Sequence, residues 1–432
     1  MSNNSPKFEN YRQHVDQIIA AAVAAVNPYS IVAQAITIDE SGAVLVNGNR
    51  YPSGNGKLYV VAIGKAAVPM ATAAVDQVGA YIAGGVAVTK IGQTETVGHP
   101  RFKTYLAAHP VPDQSSIDAA EAVFELLDKT GPNDLVLFLI SGGASALCTR
   151  PLIPLEDWQT LSQALLASGC TIQAFNTVRK QLDEVKGGGL ALAAHPAQQE
   201  TLILSDVVGS PVDMIGSGPT VYNPQTAKDA LQVLERYDIE VHSAAAQLKV
   251  LYEKQVNISP FSVSYAVQGD IGVAARAAIH QAAGLGFNAL LLSTGVEGEA
   301  REIGRYAAQT ALLADPGSAV ILGGETTVTL PAEHGLGGRN QEIALAAALQ
   351  IAGAPNLIVA TYATDGDDGP TPAAGATVHG ETVAQARAKG LDPAEALTRS
   401  NSHTFFKALG NHLIQTGQTG TNVNDLIIIL KY

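Results

Sequence analysis

The chain has 432 residues, of which 47% are hydrophobic, only 5% are aromatic and 42 are glycine, a composition that buries a core and excludes a disordered or fibrous chain. Its length suggests two or three domains. With 26 Lys and Arg against 39 Asp and Glu, the formal net charge is −13, a poor footprint for nucleic acid or an anionic membrane but no obstacle to a small phosphorylated ligand.

The polar stretch 1–10 carries no apolar leader, so no signal peptide is expected. Residues 10–26 read as an amphipathic helix closed by Asn27-Pro28. A β-branched apolar strand over Leu58–Ile63 ends at Gly64, and an alanine-rich helix follows over 66–78. A second strand occupies 86–89, and Pro112-Asp113 introduces a helix over 115–129 with Asp113 as its N-cap. Leu135–Ile140 is wholly apolar, as expected for a strand covered by helices on both faces. It is also the longest such run, far short of the roughly 20 residues that span a bilayer, and a cytoplasmic location is expected. A long helical region then runs to about 194. Within and beside it, Cys148 and Cys170 are the only cysteines; two thiols make neither a thiolate metal site nor a disulfide framework, and they read as small buried hydrophobes.

Further strands fall at 201–204, 261–267, 289–293, 319–323, 326–330, 357–362 and 426–430. The helices between them fall at 226–236, 271–284, 298–314, 340–351 and 380–400. Alternating strands and helices imply right-handed βαβ units and a mainly parallel sheet. The polar segment 237–260, with its Ser259-Pro260 break, is the best linker, and it divides the chain into domains at 1–250 and 251–432.

In open α/β sheets, ligands bind beyond the C-terminal ends of the strands, so the residues following each strand are the candidates. Ser141-Gly142-Gly143-Ala144-Ser145 combines two glycines and two hydroxyls at a strand-to-helix turn. It reads either as a cradle for phosphate or carboxylate or as a tight turn with capping serines. Lys65 opposes the dipole of the helix it precedes, which an anion-facing role explains better than surface solvation. Arg339, after Gly337-Gly338, presents a fork suited to an anion; the alternative is a pair with Glu342 or Glu333. Asp206, Asp365, Asp367 and Asp368 supply hard oxygens of the kind Mg²⁺ uses, although an Asp/Gly turn accounts equally for the last three. Asp206 and Glu325 could also be capping groups. His99 and His109, in His-Pro pairs, read as structural, and His195 and His403 carry no assignment. No G-x-G-x-x-G stands at a strand–helix junction, and no G-x-x-x-x-G-K-[ST] or G-x-S-x-G occurs. The residues alone therefore point to an α/β enzyme that handles a small anion.

Taken together and in order, SGGASAL at 141–147, Val185-Lys186-Gly187-Gly188, LSDVVGSPVDMIGSGPT at 204–220, GGETT at 323–327, GGRNQE at 337–342, ATDGDDGPTPAAG at 363–375 and TGTNVNDL at 419–426 closely resemble the glycerate 2-kinase family. This is the MOFRL-type group, often called hydroxypyruvate reductase in older usage. The resemblance implies a larger Rossmann-like domain with a parallel sheet, a smaller C-terminal α/β domain and an active site in the cleft. It implies phosphorylation of D-glycerate at the 2-hydroxyl with ATP and a divalent metal, Mg²⁺. The expected partners are glycerate and the nucleotide, with a second copy of the chain as a candidate.

The family's catalytic lysine and arginine match Lys65 and Arg339. Ser141, Gly142, Gly143, Ser145, Glu325 and Asn340 become candidate substrate and phosphate contacts, and Asp206 and Asp365 candidate metal ligands. Two positions depart from the family pattern. Gly189 stands where an arginine is expected, and Gln418 where a turn proline is expected. An NAD(P)H-dependent hydroxypyruvate reductase and a non-catalytic sugar-phosphate-binding protein are the competing readings.

Overall fold

A computed structural model describes residues 6–51, 56–254 and 263–432. The chain divides into two compact units, one of residues 28–205 and 210–268, the other of 1–27, 206–209 and 269–432. The division differs from a single cut at residue 250 because the first 27 residues belong with the C-terminal sequence. Helix Tyr11–Ala25 packs its buried Val15, Ile18, Ile19 and Ala22 against helix Ile271–Gly284.

The first unit opens with a small antiparallel sheet of β1 (Ile36–Ile38), β2 (Val44–Val46) and β3 (Asn49–Tyr51). Its main sheet comprises β4 (Leu58–Ile63), β5 (Ile82–Lys90), β6 (Phe102–Ala107), β7 (Leu135–Ile140), β8 (Gln198–Leu204) and β9 (Ser264–Gly269), in the order β6-β5-β4-β7-β8-β9. Every pair from β6 to β8 is parallel. Ranked along the chain, this is the doubly wound order 3-2-1-4-5-6 of the Rossmann-like fold. The order reverses between β4 and β7, which pair in register from Leu58↔Leu135 to Ile63↔Ile140. Both strands are buried along their whole length, which is why both read as unbroken apolar runs. Helix Ala67–Val78 buries Ala67, Ala71 and Ala74 at helical spacing, and helix Gln114–Leu127 starts at the expected Asp113 cap.

The region to 194 is four helices rather than one: Ala144–Leu147, Leu155–Ala167, Ile172–Gln181 and Gly189–Ala194. Pro151, Pro154 and the glycines at 169 and 187–189 interrupt it. A subsidiary core gathers around the fully buried Trp158 and takes in Leu248 of helix His242–Glu253. That helix occupies much of the expected linker; Ser259-Pro260 lies outside the described residues.

In the second unit, β10 (Asn288–Glu299), β11 (Ser318–Thr327), β12 (Leu357–Ala363), β13 (Gly375–His379), β14 (Leu413–Ile414) and β15 (Asp425–Lys431) form a sheet ordered β10-β11-β15-β12-β13-β14. Only β10 and β11 pair in parallel; the remaining pairs are antiparallel. The expectation of mainly parallel strands thus holds for the first unit alone. Here the last strand enters between β11 and β12, and β12 returns to β13 through the loop 364–374 without a helix. The strands expected at 319–323 and 326–330 are one strand, β11, which runs straight through Gly323-Gly324. Among the described residues no single helix is long and apolar enough to cross a membrane.

Candidate active site

In the first unit, the loops that follow β4 and β7 meet where the strand order reverses. Gly64 has φ +134°, and a Cβ there would collide with Ser141, so only glycine lets the two turns touch. Ser141 N–H donates to the Ile63 carbonyl at 2.9 Å, Lys65 N–H to the Gly142 carbonyl at 2.9 Å, and Ala66 N–H to Ser141 Oγ at 3.1 Å. Ser141 is buried, and its hydroxyl, by accepting from Ala66 N–H, clamps the two turns together.

What remains open is the edge of this junction. The N–H groups of Gly142 and Gly143 meet no protein acceptor among the described residues. Lys65 is part-buried and forms no ion pair among them. Its Cε lies 3.4 Å from where a Gly143 Cβ would be, and the ring of His109 lies 3.1–3.2 Å from the same point. Lys65, His109 and the Gly142-Gly143 amides therefore converge. Partial burial, with Lys65 and Lys90 nearby, holds the His109 imidazole below its ordinary range, so it is neutral at physiological pH. Sequence reasoning read His109 as structural; its only signal was a place just after β6, a strand that was itself missed because its exposed, alternating FKTYLA lacks an apolar run. Ser145, part-buried, accepts from Arg179 Nη1 at 3.4 Å. Asp206 follows β8 after Ser205, is partly buried and is counted with the second unit.

Gly189 stands where an arginine is expected, on a backbone that leaves no room for a side chain. A Cβ on Gly189 would run into the carbonyl of Glu184.

In the second unit, a cavity of about 650 Å³ is lined by Glu325, Arg339, Glu342, Asp365 and Asp367 among others. Helix Arg339–Gln350 begins here. The N–H groups of Asn340 and Gln341 donate to the two oxygens of Asp368, at 3.0 and 2.8 Å. The helix start is therefore already closed by an internal carboxylate. Asn340, expected to touch ligand, is wholly buried, with its side-chain amide also on Asp368 at 3.4 Å.

Arg339 projects from the helix start between two acids. Nη1 bonds Glu325 Oε1 at 2.8 Å, Nε lies 2.6 Å from Asp425 Oδ2, and Nη2 donates to Asp425 Oδ1 at 3.2 Å. Neither alternative pairing occurs, since Glu342 takes Arg301 at 2.8 Å and Glu333 lies 3.9 Å from Arg399. Burial pushes the Asp425 carboxyl up, to about 7, against the pull of the guanidinium. The two acids hold Arg339 above its ordinary value despite its own burial, so it stays charged. Asp365 Oδ1 accepts from Asp367 N–H at 3.2 Å. Among the described residues no three His, Cys, Asp or Glu side chains converge to hold a metal.

Comparison with known proteins matches residues 14–251 to a domain of unknown function (DUF4147) and residues 318–425 to the MOFRL family. A D-glycerate 2-kinase of Thermotoga maritima is 44% identical over 382 residues, covering 86% of this chain and 90% of that protein. A protein of Agrobacterium vitis with the provisional name hydroxypyruvate reductase is 41% identical over 97% of this chain and 94% of its own. The crystal structure of a Thermotoga maritima glycerate kinase superposes with a TM-score of 0.88 at 40% identity, covering 98% of this chain and all of that one.

Proposed function

The chain belongs to the glycerate 2-kinase family, and on that premise we propose that it transfers the terminal phosphoryl group of ATP to the 2-hydroxyl of D-glycerate, yielding 2-phosphoglycerate. Within the chain, the observation that carries this reading is the uncommitted Lys65 beside the free amides of Gly142 and Gly143, where the strand order of the first sheet reverses. Phosphoryl transfer asks a protein mainly for positioning and for charge aimed at non-bridging oxygens. A cation with no ion-pair partner and two N–H donors with no acceptor, both among the described residues, supply both to an anionic reactant.

The neutral imidazole of His109 offers a nitrogen acceptor to a substrate hydroxyl, a role closed to a protonated ring. Arg339 has two N–H groups beyond those already engaged by Asp425 and Glu325, and these are its means of meeting an anion. Mg²⁺ is commonly held by one or two carboxylates together with waters and nucleotide phosphates. Asp365 and Asp206 are our candidates for that contribution, a donor set suited to an ion arriving with the nucleotide and not to a resident caged metal. Such an ion would neutralise phosphate charge.

A reductase reading gains nothing from the loop after β4. Gly64-Lys65-Ala66-Ala67 has none of the glycine spacing that admits a dinucleotide pyrophosphate. Steady-state kinetics of Lys65→Met test the assignment. The expected result is a loss of kcat/KM for phosphorylation of roughly 10²-fold or more with the fold intact; an unchanged value removes Lys65 from the mechanism.

A further inference from the structure

Behind the loop 141–145, the first unit buries two cations, Arg179 and Lys186, around the single carboxylate of Asp183, while the neighbouring Lys180 is paired with Asp213 at 3.0 Å. Arg179 and Lys186 are 8% and 2% exposed, with Asp183 at 3%. Asp183 is committed to Lys186, whose Nζ lies 2.6 Å from Oδ2 and 3.2 Å from Thr149 Oγ1. The same carboxylate accepts from the hydroxyl of Thr149 and from Val185 N–H. Arg179 forms no ion pair among the described residues. Its guanidinium lies 5.0 Å from the Phe175 ring centre and 5.6 Å from that of Trp158, and Nε is buried without a hydrogen-bond partner. Among the described residues its hydrogen bonds go to one residue, Nη1 to Ser145 Oγ at 3.4 Å and Nη2 to the Ser145 carbonyl at 3.1 Å. Burial draws the guanidinium down to about 10, which leaves it charged at neutral pH.

A buried cation resting on neutral acceptors is costly unless something compensates it. The charge of Asp183 supplies part of that compensation, although Asp183 is already paired with Lys186, and the two contacts to Ser145 show where the rest of the positive charge is directed. A serine hydroxyl has one proton and two lone pairs. With a lone pair of Oγ facing the guanidinium, the proton must point away from Arg179, and the positive charge behind it makes it a stronger donor. Ser145 is part-buried and stands two residues beyond Gly143, where Lys65 and His109 converge.

We propose that Arg179 is a positioning residue that fixes the Ser145 hydroxyl as a donor to an anionic oxygen of one of the reactants, the glycerate carboxylate or a nucleotide phosphate. This deepens the kinase reading and takes its reactants from it. The helix Ile172–Gln181 thereby delivers a buried charge to the loop without touching substrate. It also places a cation behind the anion loop in a chain whose residue 189 is glycine.

The test is a double-substitution cycle with Arg179→Met, Ser145→Ala and both together, plus Arg179→Lys as the variant that preserves charge. The readouts are KM for D-glycerate, KM for ATP, kcat and the melting temperature. Arg179→Met is expected to raise KM for one of the two substrates about tenfold or more, the magnitude of a lost charge-assisted hydrogen bond. Ser145→Ala should raise the same KM, the double variant should be no worse than Ser145→Ala, and Arg179→Lys should restore part of the loss. Which KM moves identifies the oxygen as carboxylate or phosphate.

A lowered melting temperature with both KM values unchanged overturns the proposal, as does an additive double variant. Calorimetric titration of each folded variant with D-glycerate and with inorganic phosphate separates this proposal from the kinase reading. A wild-type protein that binds either anion tenfold more tightly than Arg179→Met supports the positioning role even without turnover; no anion binding by the wild type overturns it. Should Arg179→Met not fold, Arg179→Lys against Ser145→Ala carries the same comparison.

Discussion

The Arg339 guanidinium stands against the carboxylate of Asp425, with Nε 2.6 Å from Oδ2 and Nη2 donating to Oδ1 at 3.2 Å. Asp425 is buried at the first position of β15, whereas the Arg339 side chain keeps 31% of its surface exposed on the cavity. The acid thus anchors the fork from within and leaves its outer edge to a ligand. Asp425→Asn keeps the shape but loses the charge-assisted pair, and we expect kcat/KM to fall on the order of 10²-fold through misplacement of Arg339. Arg339→Lys, which keeps the charge without the fork, should fall as far. Folded variants within twofold of wild type in steady-state assays would contradict a role for this pair.

Gly189 gives a second prediction. A Cβ at that position meets the Glu184 backbone carbonyl, not a flexible side chain. Gly189→Ala should therefore cost about 1–3 kcal/mol in urea unfolding, and Gly189→Arg, which restores the family residue, should cost at least as much. Gly189→Arg with wild-type stability and improved kcat/KM would show that the backbone yields and that the missing cation matters.

The rings of His379 and His412 stand 5.5 Å apart in the second unit. Burial holds both below the ordinary value of 6.5; Arg12 also lowers both, Lys389 lowers His412, and Glu381 and the Thr377 carbonyl oppose the shift. In the unfolded chain both titrate near 6.5, so below that pH the unfolded state binds more protons. Their contribution is complete above about 6.5 and is lost as pH falls toward the depressed native values. The urea midpoint should fall between pH 7.5 and 5.5, and His412→Gln should reduce that fall. An equal fall in wild type and variant would assign the acid sensitivity elsewhere.

The buried parallel strands were legible from sequence because helices on both faces force continuous apolar runs, as in β4 and β7. Strands with one wet face, such as β6, lack that signal and were missed. The second sheet escaped for a different reason. The insertion of β15 between β11 and β12 is a pairing choice that no local pattern encodes. At the site, Lys65 and Arg339 could be selected because a cation in a glycine-rich strand–helix turn is hard to explain otherwise. Asn340 misled for the converse reason: a polar residue at a helix start looks the same whether its amide faces a ligand or Asp368. Ser141 likewise reads as a ligand group from sequence, which has no sign that its oxygen accepts from Ala66 N–H. Arg179 carried no sequence signal at all, since only the packing of Phe175 and Trp158 around it shows that its charge is buried.

Transfer of phosphoryl to the 2-hydroxyl is read out by phosphorus NMR of the product formed by the wild-type protein from ATP, Mg²⁺ and D-glycerate, run beside a parallel incubation of NADH with hydroxypyruvate. The expected product is 2-phosphoglycerate, dependent on ATP and strongly reduced in Lys65→Met, with no NADH oxidation. Formation of 3-phosphoglycerate, or NADH oxidation without ATP, would contradict it.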